Sequence, residues 1–181
     1  MAGNSRNIDM MNTDVKIPPV LAVCGVKDSG KTTLITKLIP VLKDRGLRVA
    51  TIKHDGHDFM PDVPGTDSAR HREAGAYAAA VFSNNRYMLT REQCGVTVEE
   101  MIAFFPDADL ILLEGCKGSR YPKIEVIRKG NSCESVSEQE GLLAIATDLP
   151  ADSIMRCSHV PLLDLNKPEG IADFVISCFE K

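Results

Sequence analysis

The chain has 181 residues, 44% of them apolar, and a formal net charge of −4. That length suits a single domain with a sizeable buried core, and the mild acidity supplies no broad basic face for nucleic acid or a membrane surface. No apolar run reaches spanning length, and residues 1–19 contain no apolar centre of the kind a signal peptide needs.

These features predict a flexible tail over 1–19, one domain over 20–181 and a cytoplasmic location. Six cysteines (Cys24, Cys94, Cys116, Cys133, Cys157 and Cys178) are scattered without a C-x-x-C pair. They read as reduced thiols, mostly in the core.

The first element is an apolar strand, Val20 to Cys24. It runs into Gly25-Val26-Lys27-Asp28-Ser29-Gly30-Lys31-Thr32, followed by Thr33 and a helix-like stretch. This is a complete G-x-x-x-x-G-K-T phosphate loop in its proper strand-to-helix setting. Its glycines let backbone N–H groups curl toward phosphate, and the helix start adds partial positive charge. Lys31 is expected on the β/γ-phosphates and the Thr32 hydroxyl on Mg²⁺. In the helix that follows, Leu34, Ile35, Leu38, Ile39 and Leu42 share one face, Pro40 is expected to bend it, and Gly46 ends it.

Leu47 to Ile52 reads as a second strand. The polar stretch Lys53 to Gly65 is a long loop, and its His54, Asp55, His57 and Asp58 admit two readings: contact with a metal or an anionic ligand near the γ-phosphate, or ordinary solvation. His71 and His159 look ordinary. Asp67 to Gly75 is a short helix. Ala78 to Phe82 and Arg86 to Thr90, joined by Ser83-Asn84-Asn85, suit a hairpin that adds an antiparallel strand at a sheet edge. Val98 to Phe105 is a helix.

Asp109-Leu110-Ile111-Leu112-Leu113-Glu114-Gly115 is a buried strand ending in a carboxylate, which either holds Mg²⁺ or orients water beside the phosphate loop or is simply solvated. After it, Lys117, Arg120, Lys123 and Arg128 form either a cationic cluster for a ligand phosphate or a solvated turn and edge strand. Lys123 to Ile127 and Leu142 to Ala146 are further strands, and Pro168 opens a last helix through Phe179. A carboxylate after a late strand can accept both guanine N–H donors. Asp148 fits that position or simply begins a turn before Pro150, with Asp164 and Asn166 as competitors. The alternation of strand and helix predicts an α/β fold with a mostly parallel sheet, helices on both faces and an antiparallel edge hairpin.

Taken together, Gly25 to Thr33, Ala50-Thr51-Ile52-Lys53-His54 leading to His57-Asp58, Pro64-Gly65-Thr66-Asp67-Ser68, Arg72 to Ala76, Leu110 to Lys117, Lys123 to Val126, Leu163 to Asn166 and Gly170 to Phe174 resemble the molybdopterin-guanine dinucleotide biosynthesis adapter proteins, the MobB family. The resemblance runs from about Val20 to the C-terminus. It departs at Thr66, where the family is expected to carry Lys, and at Cys116, where an aromatic is expected.

It implies a three-layer P-loop NTPase fold and a dimer in which a β-rich segment reaches the partner. It also implies a GTP- and Mg²⁺-binding protein that is a poor GTPase alone and assists the guanylyltransferase attaching GMP to molybdenum-loaded molybdopterin. The molybdenum cofactor is then a further candidate ligand. On this reading the nucleotide site is Gly25, Val26, Lys27, Asp28, Ser29, Gly30, Lys31, Thr32, Thr33 and Asp148, with Lys31 and Glu114 catalytic and Thr32 and Glu114 on the metal. Two rivals share the loop. A small-molecule kinase wants an arginine lid, which Arg70, Arg72 and Arg86 do not obviously form. A metallochaperone ATPase commonly has Lys directly after the first Gly, where this chain has Val26.

Overall fold

The computed structural model describes residues 17–57, 59–155 and 160–179. The expectations for the tail before residue 17, Asp58, Cys157 and His159 lie outside the described residues. Six strands form one sheet: β1 (Val20–Cys24), β2 (Val49–Lys53), β5 (Leu110–Glu114), β6 (Lys123–Ile127), β7 (Leu142–Thr147) and β8 (Leu162–Asp164). Their order is β2-β5-β1-β6-β7-β8 and every pairing is parallel. Strand β1 therefore lies inside the sheet with β5 on one side and β6 on the other, where the direction of the crossovers reverses. Open α/β sheets bind ligands at that place, beyond the carboxyl ends of the strands.

The two faces are covered differently. On one, Leu21 and Val23 of β1, Leu112 of β5 and Val126 of β6 pack against α1 (Lys31–Asp44) and α4 (Pro168–Phe179), which contribute Leu34, Leu38, Ile171 and Val175. On the other, Ala22, Ile111 and Leu113 meet α3 (Val98–Ile102). Helix α1 runs unbroken through Pro40 and stops at Gly46 as predicted. The Gly46 N–H reaches Lys43 O and the Leu47 N–H reaches Leu42 O, the paired bonds that a left-handed glycine at φ 86° permits. Helix α3 begins in a capping box between Thr97 and Glu100.

Four expectations change. The hairpin of β3 (Ala78–Phe82) and β4 (Tyr87–Arg91) forms, but as a separate two-stranded sheet beside α2 (Asp67–Glu73) rather than on the edge of the main one. The main sheet instead ends at β8, a three-residue strand too short to announce itself by alternation. Of the five described cysteines, Cys24 is buried, Cys116 is half-buried, and Cys94, Cys133 and Cys178 are exposed, so the thiols are not mostly core. Burial pushes the Cys24 thiol up to about 11, with the hydrogen bond to Ser137 pulling the other way.

The fourth correction concerns the cationic cluster. Lys123 and Arg128 sit at opposite ends of β6 and its exit, about 16 Å apart at strand rise. Lys123 is not solvated at all: it is 0% exposed, and its Nζ donates to Ser119 O at 2.5 Å and Glu140 O at 2.8 Å. Two residues on, buried Glu125 accepts from the Ser135 hydroxyl and from the Val136 N–H at 2.8 Å. These two charged side chains fasten loops over the part of the sheet face that α3 leaves bare. Among the described residues, no helix is long and apolar enough to cross a membrane.

Removing the Lys123 ammonium takes the donor away from the Ser119 and Glu140 carbonyls and empties the place of a side chain that is 0% exposed. Lys123→Ala is expected to lower the unfolding free energy by about 3 kcal/mol, read as a lower urea midpoint. An unchanged midpoint would contradict this strut.

Candidate nucleotide-binding site

The turn from β1 into α1 depends on a close backbone approach. At Gly25, φ is 139°, and a Cβ would lie 2.6 Å from Val126 O and 2.8 Å from Ser29 Oγ. Only glycine lets the chain curl this tightly against β6. Asp28 at φ 60° and Gly30 at φ 98° continue the curl, and left-handed turns of this kind gather N–H groups into an anion-binding concavity. Gly30 starts α1 with no side-chain cap. The first helical N–H groups have no intrahelical acceptor, and the helix dipole adds to their pull on an anion. Ser29 is fully buried, and its Oγ has no partner among the described residues. The Lys31 ammonium spans the loop, donating to Val26 O at 2.7 Å and Gly25 O at 3.3 Å.

The second half of the site comes from β5. Val23 is paired with Glu114, the Gly115 N–H reaches Val23 O at 3.0 Å, and the His54 N–H reaches Glu114 O at 3.1 Å. The backbone of Glu114 is thus fixed from both sides. Its side chain turns to the head of α1, where the Thr32 hydroxyl donates to Glu114 Oε1 at 2.6 Å. A hydroxyl and a carboxylate converging beside an uncapped helix start are hard oxygen donors, the chemistry that suits Mg²⁺.

The remaining predicted residues fall into separate places. Asp148 is exposed just beyond β7, and its Oδ1 accepts from the Lys129 N–H at 2.7 Å. The competitors Asp164 and Asn166 line the same cleft, together with Thr147 and Leu149. Asp164 is committed to its own turn: the Asn166 N–H, at 2.9 Å from Oδ1, is the main cause holding its carboxyl below the usual range, and Lys167 pairs with it at 3.5 Å. His54, Asp55 and His57 are exposed, and among the described residues no three His, Cys, Asp or Glu come together to hold a metal. Thr66, at the position of an expected Lys, caps α2 by accepting from the Ala69 N–H. Cys116 takes φ 53° directly after Gly115.

Two further residues reach the loop. Asn131 Nδ2 donates to Lys27 O at 3.1 Å, and the Arg128 side chain passes over Gly30, its Cδ 3.9 Å from where a Cβ would stand. No local spacing marks Asn131, and the sequence pattern groups Arg128 with Lys123 rather than with the phosphate loop. Their relevance depends on β6 lying next to β1, which no local motif encodes.

In comparisons with known proteins, residues 20–148 match the family profile of MobB, molybdopterin guanine dinucleotide synthesis protein B. The chain is 38% identical over 172 residues to the molybdopterin-guanine dinucleotide biosynthesis adapter protein of Escherichia coli strain K12, covering 90% of this chain and 94% of that one. It is 37% identical over 160 residues to the protein of the same description from Haemophilus influenzae, covering 87% of each. Among solved structures, that of Bacillus subtilis MobB superposes with a TM-score of 0.72 at 25% identity, covering 90% of this chain and 98% of that one.

Two substitutions separate the parts of the site. Gly25→Ala is expected to weaken GTP binding by at least about tenfold in calorimetric titration, because the added carbon displaces the loop from Val126; parental affinity would contradict the close-approach argument. Glu114→Gln is expected to leave Mg²⁺-free GTP affinity intact and to reduce the gain on adding Mg²⁺ by about tenfold. Equal Mg²⁺ coupling in both proteins would remove Glu114 from the metal side.

Proposed function

The chain belongs to the MobB family, and from that membership we propose that it is a GTP-binding adapter of molybdenum cofactor biosynthesis, acting with the guanylyltransferase that attaches GMP to molybdopterin. Residues 20–181 serve as one nucleotide-binding domain. The observation that carries this reading is the Thr32–Glu114 contact at 2.6 Å beside the Lys31-bearing loop, because it supplies phosphate and metal ligands at one point. Bound Mg²⁺, held by Thr32 and Glu114, would neutralise phosphate charge. Lys31 and the loop N–H groups hold and orient the triphosphate. Asp148 offers guanine a carboxylate.

Hydrolysis by the protein alone is slow on this account. The two glutamines lie away from the loop, Gln93 bonded to Glu100 by α3 and Gln139 in the turn entering the amino end of β7. Neither can orient water there, a contribution that together with arginine fingers elsewhere raises rates by roughly 10³ to 10⁵. The exposed apolar side chains Val81, Phe82, Tyr87 and Leu89 of the hairpin support a homodimer. Lys117 and Arg120 in the exit loop of Glu114, and His54 and His57 in the loop after β2, offer contacts for the molybdopterin phosphate. All of this takes place in the cytoplasm.

The test is reconstituted GMP transfer to the molybdenum cofactor at limiting GTP. Added protein is expected to raise the dinucleotide yield several-fold, and Lys31→Ala to abolish the gain while its melting temperature stays parental. No stimulation, together with rapid phosphate transfer to a small metabolite, would contradict the adapter and favour a kinase.

A further inference from the structure

The carboxyl edge of the sheet orders its functional groups by strand. Glu114 ends β5, the phosphate loop follows β1, Arg128 follows β6 and Asp148 follows β7. Arg128 therefore stands on the far side of the loop from the Thr32–Glu114 pair, between the loop and Asp148. Its backbone is held there. Arg128 O accepts from the N–H groups of Asn131 at 3.0 Å and Ser132 at 3.2 Å, the Asn131 amide grips Lys27 O, and the Lys129 N–H grips Asp148. One short turn thus ties the phosphate loop to the Asp148 side of the site, through Asn131 to Lys27 at one end and Lys129 to Asp148 at the other. The Arg128 side chain is exposed, lies over Gly30 and has no hydrogen bond or ion pair among the described residues.

We propose that Arg128 is a second phosphate-binding cation of this site, gripping the diphosphate part of the nucleotide from the side opposite Glu114. The proposal rests on the nucleotide reading above. A guanidinium suits the task because its donors form a fixed planar fork that matches two phosphate oxygens, a geometry that a flexible ammonium does not hold in advance. Lys31 answers the phosphates from within the loop, and Arg128 answers them from β6. With the metal ligands on the β5 side, the terminal phosphate lies toward Thr32 and Glu114, and Arg128 meets the phosphates nearer the base. It accordingly binds di- and triphosphate alike, unlike an arginine finger, which acts on the transferred group.

Calorimetric titration with GDP and with GTP, each with Mg²⁺, tests this on the intact protein. Arg128→Ala is expected to weaken both by about tenfold, keeping their ratio parental, and Arg128→Lys to recover only part of the loss. Melting temperatures should match the parent, since the side chain is exposed. Changes below about twofold for both nucleotides, loss confined to GTP, or slower turnover at unchanged affinity would each overturn the assignment. A parent protein that binds neither nucleotide would instead overturn the nucleotide reading, and this inference with it.

Discussion

The close approach of Gly25 to the backbone of β6 is the constraint on which the site depends. With Val126 O 2.6 Å from any Cβ, the chain leaving β1 has no room for a side chain and curls over its own strand. That curl aims the start of α1 across the carboxyl edge of the sheet and sets Thr32 against Glu114. It works because β1 is completely enclosed: Leu21, Ala22, Val23 and Cys24 are each 0% exposed, between β5 and β6 and beneath α1. A loop built on so immobile a strand positions its donors before any anion arrives, so less ordering is left to be done on binding.

The same region shows why β6 carries charge in the middle of a protein interior. Its Ile124 and Val126 face the α1–α4 core, whereas Lys123 and Glu125 face the other side, on the part that α3 leaves to loops. Loops bring backbone polar groups with them, and buried N–H and C=O groups require partners. Lys123 satisfies two carbonyls and Glu125 satisfies an N–H and a hydroxyl. Burying an ion costs several kcal/mol by itself, roughly offset here by charge-assisted bonds that also hold the loops in one arrangement. The loop layer behind the phosphate loop, including the contact of Ser137 with Cys24, is thereby fixed to the sheet.

What the sequence made legible was local. The phosphate loop, the Gly46 stop, the acidic end of β5, the apolar face of α1 and the extent of α4 from Pro168 to Phe179 each follow from short-range signals, and each appears where those signals put it. Lys123 was misread because a lysine at a strand start is ordinarily solvated; only the loops returning from Ser119 and Glu140 make it a buried strut. The hairpin was visible in its β-like runs and turn residues, but which sheet it joins is a tertiary matter. Strand β8 has only three residues, too few for a period. Arg128 and Asn131 became neighbours of the phosphate loop through sheet order, a property of the whole chain.

The most direct measurement is a crystal structure of the protein grown with Mg²⁺ and a non-hydrolysable GTP analogue. The account predicts triphosphate density within residues 25–32, a metal ion between Thr32 and Glu114, and guanine in the cleft beside Asp148. Nucleotide bound elsewhere, or a loop empty at saturating analogue, would contradict it.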